Sequence, residues 1–451
     1  MIRVLPLRFM LFGITAVIGF FYFSNTLTFK WQRLSEKKYI KKIFWTTFAI
    51  RFAWVTFSYF YFRAMTGFVF EYSFADTGNY HWTAWMLSNI DGGFAYVWDA
   101  LMERWGDFSD TGYVLFLSYF YRLLWWSDEY MCETGAFPIF LMRVTHALAS
   151  AFMCVLIYKL AKRNFGESTG RMAGIFAMLL PHFTYYSGLH AKETYMIFLT
   201  VAFVERADHL LRSKKYNLIN IAVPILLVGV LFTFRTVLGA AALFAFFSAV
   251  VFSSAKVIGW KKRILIATWL ITAVVYFAGG RIAMEIEEKW EGRHYNQAQS
   301  MEGRALGTNE LARYGSAAIF APMIFVAPFP SMVYVEYQRP IMMMHGSNFV
   351  KNITAFFTMM GIFLLLYRKR WREHILILAF LTSYLLIIAF SAFAISERFH
   401  LPSLPFALIM AAYGVSQMNN KTKKYFNWWT IFIFVIIVGW NWFKLAGRGI
   451  I

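Results

Sequence analysis

Cysteine is all but missing from this chain: of 451 residues only Cys132 and Cys154 carry a thiol. That sets aside a disulfide framework and a cysteine-ligated metal centre. Charge is thin as well, at 15% of residues, and acids are thinnest, with 24 Asp and Glu against 44 Lys and Arg. No Walker loop, glycine-rich dinucleotide turn or His-Glu-x-x-His helix occurs, and the nine histidines are scattered. Neither ATP coupling nor a histidine metal site is therefore indicated. There is no internal repeat, low-complexity tract or soluble domain. Residues 1–451 read as a single transmembrane domain, with no cofactor called for and a divalent metal not indicated.

What fills the chain instead is apolar: 59% of residues are hydrophobic and 20% aromatic, too many for a soluble globular protein. Apolar runs of helix-spanning length fall near 5–24, 43–62, 139–158, 172–189, 192–211, 218–234, 236–254, 264–280, 349–367, 374–394, 401–417 and 427–445. At about 20 residues each, they predict an all-α polytopic membrane protein with about twelve transmembrane helices. A β-barrel is excluded, because its strands alternate apolar and polar residues over shorter segments.

The net charge of +20 would suggest nucleic acid in a soluble protein. Here the cations cluster between apolar runs, at Lys30 to Lys42, Lys159 to Arg171, Arg206 to Lys215, Lys256 to Arg263, Arg368 to Arg372 and Lys421 to Lys424. That is the positive-inside pattern, so these clusters face the cytoplasm and no nucleic acid is expected. Between Ala64 and Pro138 the balance reverses: Glu71, Asp76, Asp91, Asp99, Glu103, Asp107, Asp110, Asp128, Glu129 and Glu133 oppose only Arg104 and Arg122. Segment 64–137 is thus expected outside, and the alternation holds from residue 43 onward. The first run, 5–24, then crosses inward. A removable signal peptide is the other reading of it, although Arg8 interrupts the run and no clean cleavage pattern follows.

Two segments, 64–137 and 281–348, are too polar to span and too long for turns. In the first, the mixed pattern of Tyr80–Leu101 and of Tyr113–Trp126 predicts helices lying in the interface, with aromatic residues at headgroup level. The second carries charges of both signs and then Pro322, Pro328 and Pro330, which break any regular span. It is a candidate lid over an outer site.

Three short stretches carry the residues suited to chemistry. The first is Glu71-Tyr-Ser-Phe-Ala-Asp76-Thr-Gly-Asn79-Tyr80, just beyond an apolar run, echoed by Asp110-Thr-Gly-Tyr113. Either aspartate is read as a helix cap or as a base for an acceptor hydroxyl at the membrane boundary. The second is His190-Ala-Lys192-Glu193 between two runs, where charges beside lipid are costly unless paired or facing water. The third is Ser396-Glu397-Arg398-Phe399-His400, followed by Pro402 and Pro405. Arg398 offers a planar fork for phosphate and His400 a second donor, with snorkelling to headgroups as the alternative. Arg143 and His146 lie one turn apart near the end of a run, Arg235 ends another, and Arg51 falls inside a run, where no role follows from the sequence.

Together these outer elements resemble the GT-C superfamily of integral membrane glycosyltransferases, in the manner of protein mannosyltransferases and aminoarabinose transferases. The resemblance implies a sugar moved from a polyprenyl-phosphate-linked donor to a lipid, glycan or protein acceptor on the extracytoplasmic face. Asp76 matches the acidic residue of the first large outer loop that is catalytic in the family. Lys192-Glu193 looks like the Lys-Glu pair opening a later span, and Arg398 to Pro405 resembles the Arg before a proline-rich helix start. Many members carry two adjacent acids in that loop, whereas Asp76 is followed by Thr77, so neither a second acid nor a metal carries over. By this reading Asp76, Asp110 and Glu193 are the catalytic candidates, and Lys192, Arg398, His400, His190, Glu71 and Tyr80 bind substrate. One general base and a phosphate leaving group imply inversion at the sugar carbon. A bacterial inner membrane, with the site facing the periplasm or exterior, is expected. Two other readings stand beside it. An oligosaccharide-repeat polymerase of the O-antigen type also resembles the twin Asp-Thr-Gly pattern. A transporter or lipid flippase would show acids near the midplane and repeated halves, whereas the acids here lie mostly at the outer boundary.

Overall fold

The computed structural model describes residues 2–4, 7–71, 75–105, 108–124, 137–213, 218–277, 280, 283–284, 287–288, 291–292, 322–331, 333–335, 342–391 and 396–446. Helices dominate them. In chain order the longer ones are α1 (Leu7–Trp31), α2 (Glu36–Thr66), α3 (Ala75–Ser88), α4 (Phe94–Trp105), α5 (Thr111–Leu123), α6 (Phe137–Phe165) and α7 (Glu167–Leu179). They continue as α8 (Pro181–Ser187), α9 (Glu193–Arg212), α10 (Leu218–Phe234), α11 (Thr236–Phe252), α12 (Trp260–Phe277), α13 (Met342–Tyr367) and α14 (Ile375–Ala389). The short α15 (Glu397–His400) leads through a 3₁₀ turn, Leu401–Ser403, into α16 (Leu404–Ser416), and α17 (Asn420–Ala446) follows. One departure from the all-α expectation is a small antiparallel ribbon, β1 (Ile2–Val4) against β2 (Val333–Val335), with Arg3 opposite Tyr334.

Where it is described, each predicted apolar run falls mainly on helix. Among the described residues four helices are long and apolar enough to cross a membrane: Pro138–Phe165, Gly346–Tyr367, Glu397–Ser416 and Asn420–Trp442. Ile219–Phe234, Thr236–Phe252 and Ile375–Ala389 are shorter and equally apolar in character. Large hydrophobic side chains such as Leu226, Phe434 and Trp442 stay exposed on these helices, as lipid-facing positions do. This is a helical membrane protein.

Two predicted elements are corrected. The interfacial stretch Tyr80–Leu101 is two helices, α3 and α4, because the chain turns between them through Gly92, whose φ of 144° suits glycine alone. The run 172–189 is likewise two helices, α7 and α8, divided at Pro181, which brings no N–H to continue the first. Most of the candidate lid, 281–348, lies outside the described residues. Its described part does not hang free: Val326, Ala327 and Phe329 are buried against Ala355, Ile433 and Ile437 of α13 and α17. Asn352 Nδ2 donates to Val326 O at 2.6 Å and to Pro328 O at 3.0 Å, and Asn441 Nδ2 to Pro330 O at 3.0 Å.

The break at Pro181 explains Arg51. Ala177 O and Met178 O would take their helical bonds from the N–H groups of residues 181 and 182. Pro181 has none, and the His182 N–H goes to Ser347 Oγ at 2.7 Å. Arg51, fully buried in α2, fills both vacated positions, donating from Nη2 to Met178 O at 2.9 Å and Ala177 O at 3.2 Å. Its Nη1 donates to Thr184 Oγ1 and its Nε to Ser150 Oγ at 3.3 Å. A cation buried in the helical bundle is thus spent on backbone carbonyls left open by the helix break.

The two ends of the bundle differ. At one, the basic clusters knit helices together: Arg163 bonds Glu205 and, at 3.0 Å, Asp208, while Arg212 bonds Asp208 at 2.9 Å and Asn164 at 2.8 Å. The other end of α9 carries Glu193, and 20 helical residues separate the two by about 30 Å. Between them α13 and α16 approach so closely that a Cβ on Gly414 would lie 2.1 Å from Phe357 O. Only glycine allows that contact.

Replacing Arg51 with Met should strand both carbonyls and lower stability by about 2–4 kcal/mol. Thermal unfolding in detergent measures it; an unchanged melting temperature would mean the carbonyls are satisfied without Arg51.

Candidate active site

Four separate segments meet at the Glu193 end of the bundle. Asp76 lies in the first turn of α3 with 59% of its side chain exposed, and its Oδ2 accepts from Arg398 Nη1. Arg398, on α15, also donates from Nε to Glu193 Oε1. Glu193, at the start of α9, is only 1% exposed. One guanidinium therefore joins a reachable carboxylate to a buried one, using the fork that distinguishes arginine from lysine.

Beside this triad sits a second. Lys192, fully buried, pairs through Nζ with Asp110 Oδ1 and lies 5.7 Å from the centre of the Tyr80 ring. The Tyr80 hydroxyl donates to Asp110 Oδ2 at 3.1 Å. Asp110 occupies the N-cap position of α5, yet its side chain caps nothing and its φ is 74°. For a residue with a Cβ that backbone is unfavourable, and such strain persists where surrounding contacts enforce it. Here they are the two bonds to Lys192 and Tyr80. Burial, reinforced by the Glu193 carboxylate, pushes the Tyr80 phenol above its usual pKa, so it stays a proton donor at neutral pH.

Of the residues singled out from the sequence, Asp76, Asp110, Lys192, Glu193, Arg398 and Tyr80 are thus brought together. The other three are not. Glu71 accepts from the Thr77 hydroxyl, one residue from Asp76, and burial raises its carboxyl pKa; it supports the turn and makes no bond to the cluster residues, although the Glu193 charge acts on it. His190 is buried, its Nε2 3.0 Å from the Tyr121 hydroxyl, which also lies 2.8 Å from His81 Nδ1. Burial lowers both imidazoles, His81 to about 4, so the pair is neutral at pH 7 and gives no cation for a phosphate. His400 turns toward α13, its Nδ1 2.8 Å from Lys351 Nζ. The structure places both His190 and His400 in the core, where an imidazole that already has a partner offers no accessible donor.

Sequence reasoning passed over Lys351, whose Nζ also donates to Ala327 O. A lone lysine inside the run 349–367 was a visible signal, because an unpaired charge there is costly. Tyr121 and His81 gave none, since a tyrosine and a histidine in an interfacial pattern read as headgroup anchors. Among the described residues no group of three His, Cys, Asp or Glu is placed to hold a metal ion. No protein-family model matches the chain, and no curated protein matches it.

Removing Arg398 should uncover a buried charge at Glu193 but only an exposed one at Asp76. Arg398→Ala is expected to destabilise by about 3–5 kcal/mol. The coupling of Arg398 to Glu193 in a double-mutant cycle should exceed its coupling to Asp76, which an exposed pair limits to about 1 kcal/mol. Thermal unfolding of Glu193→Gln, Asp76→Asn and the two double variants supplies the cycle; equal couplings would refute the buried-anchor role of Glu193.

Proposed function

We propose that the protein is a GT-C-like glycosyltransferase of about twelve transmembrane helices, which moves a sugar from a polyprenyl-phosphate donor to a lipid, glycan or protein acceptor. In this reading the site faces the extracytoplasmic side of a bacterial inner membrane. The observation that carries the reading is the joining of an exposed carboxylate to a half-buried cation, Asp76 to Arg398, next to the buried Lys192 and its partner Asp110. A transfer between a water-borne hydroxyl and a lipid-borne phosphate needs both in one place.

In the reaction the acceptor oxygen attacks the anomeric carbon while the bond from that carbon to the phosphate oxygen breaks. The acceptor's proton passes to Asp76, which is open to the water side where Glu193 is not. The bonding electrons leave with the phosphate oxygen, and the cations around Glu193 and Asp110 offset the charge that grows there. Attack opposite the leaving group inverts the sugar carbon. A polymerase of lipid-linked oligosaccharide units is the second reading, favoured by the entry of Asp110, from the second Asp-Thr-Gly, into the same cluster.

Asp76→Asn keeps the shape and removes the base, so turnover should fall by about 10²-fold or more. Mass spectrometry of polyprenyl-linked lipids, in cells lacking the protein and in cells carrying Asp76→Asn, is the test. A polyprenyl monophosphate bearing one sugar should accumulate in both. Accumulation of a diphosphate-linked oligosaccharide would select the polymerase, and unaltered lipid pools would remove both readings.

A further inference from the structure

The charges around the site are not equally committed. Arg398 already serves two carboxylates, Asp76 and Glu193, and Lys192 serves Asp110. A third cation, Arg235, stands beside them at the join of α10 and α11, close enough for its charge to act on Lys192, Glu193 and Tyr80. Among the described residues no carboxylate lies within ion-pair distance of it, and its Nη1 is buried with no hydrogen-bond partner.

Arg235 is held in place by its backbone and by an aromatic ring rather than by an acid. Its residue is extended, φ −164° and ψ 110°, where one helix stops and the next starts. The Arg235 N–H donates to Leu231 O at 2.8 Å, and its carbonyl accepts from Leu238 and Gly239 at 2.9 and 3.1 Å. The guanidinium lies 4.3 Å from the centre of the Phe399 ring and bonds the Tyr384 hydroxyl. Stacking of this kind fixes the plane of the group, and Nη1, which has no partner, is left for a ligand in that plane. Phe399 belongs to the same short helix as Arg398, so the guanidinium lies close to the region where Arg398 orders the two acids. The side chain is half-buried, neither sealed in the core nor snorkelling free.

From this we infer that Arg235 is the residue that binds the phosphate of the lipid-linked substrate, and that Arg398 is a positioning residue that holds Asp76 and Glu193. The inference rests on the transferase reading and sharpens it. An entering phosphate need not break an existing ion pair to reach Arg235, whereas at Arg398 or Lys192 it would compete with a carboxylate already in place. The planar fork accepts two phosphate oxygens side by side. When the sugar leaves, the electron pair released to the bridging oxygen falls on a group already bonded to an unneutralised cation.

The test uses the full chain in phosphatidylcholine nanodiscs, titrated with farnesyl phosphate, farnesol and inorganic phosphate. Wild type should bind farnesyl phosphate well above farnesol. Arg235→Gln should weaken farnesyl phosphate by at least about tenfold, the loss of roughly one charged hydrogen bond, and leave farnesol unchanged. Arg235→Lys should recover part of the loss. Because no carboxylate among the described residues forms an ion pair with Arg235, both variants should melt close to the wild type, which separates a lost ligand from a lost fold. Wild-type affinity for farnesyl phosphate in Arg235→Gln would overturn the inference while leaving the transferase reading intact. So would a loss confined to inorganic phosphate. If wild type itself does not prefer farnesyl phosphate to farnesol, the transferase reading fails, and the inference with it.

Discussion

The Arg398 guanidinium is the contact on which the arrangement of the site depends. Through Nε it reaches a buried carboxylate on α9 and through Nη1 an exposed one on α3. Three segments far apart in sequence are registered by one side chain. Without it Glu193, 1% exposed and with Oε2 already lacking a partner, would be an uncompensated charge in the core. The neighbouring Lys192, Asp110 and Tyr80 repeat the scheme on a smaller scale, and the strained backbone of Asp110 shows what those bonds hold.

Elsewhere the buried cations are answered by backbone rather than by acids. Arg51 takes two carbonyls left by the Pro181 break, and Lys262 donates to Leu210 O and, at 2.8 Å, to Ser213 O. Lys351 donates to Ala327 O. A chain with few acids cannot pair every interior cation with a carboxylate, and helix ends and breaks supply the acceptors instead. Among the described residues the fully buried carboxylates are Glu205 and Asp208 toward one end of α9 and Glu193 at the other. Scarcity of acid in the sequence thus becomes localisation of acid in the structure.

The helices were legible because long apolar runs fix them with little help from tertiary context, and where it is described each run was recovered mainly as helix. Breaks were less legible: Pro181 was visible, but that α7 would stop there depended on Arg51 standing ready to take its last carbonyls. At the site, Asp76, Glu193, Lys192 and Arg398 could be read because charge is rare beside apolar runs and so marks itself. Their pairing could not, since Arg398 lies 322 residues from Asp76. Asp110 was legible as a repeat of Asp-Thr-Gly, with capping the competing role; it occupies the cap position and performs another function. The surroundings of His190 and His400 were not legible for one reason. Sequence reports that imidazole is present, but not that Tyr121 or Lys351 already engages it.

The short α15 has a mechanical consequence. Its Glu397 accepts from Asn348 at 3.2 Å and its His400 meets Lys351 at 2.8 Å, both on α13, while Arg398 between them points to α3 and α9. A helix of four residues has no length over which to absorb torsion. Any rotation that releases Arg398 also moves Glu397 and His400, and through Lys351 it tugs on the Ala327 carbonyl of the anchored segment below. The site and that segment therefore turn on a common axle.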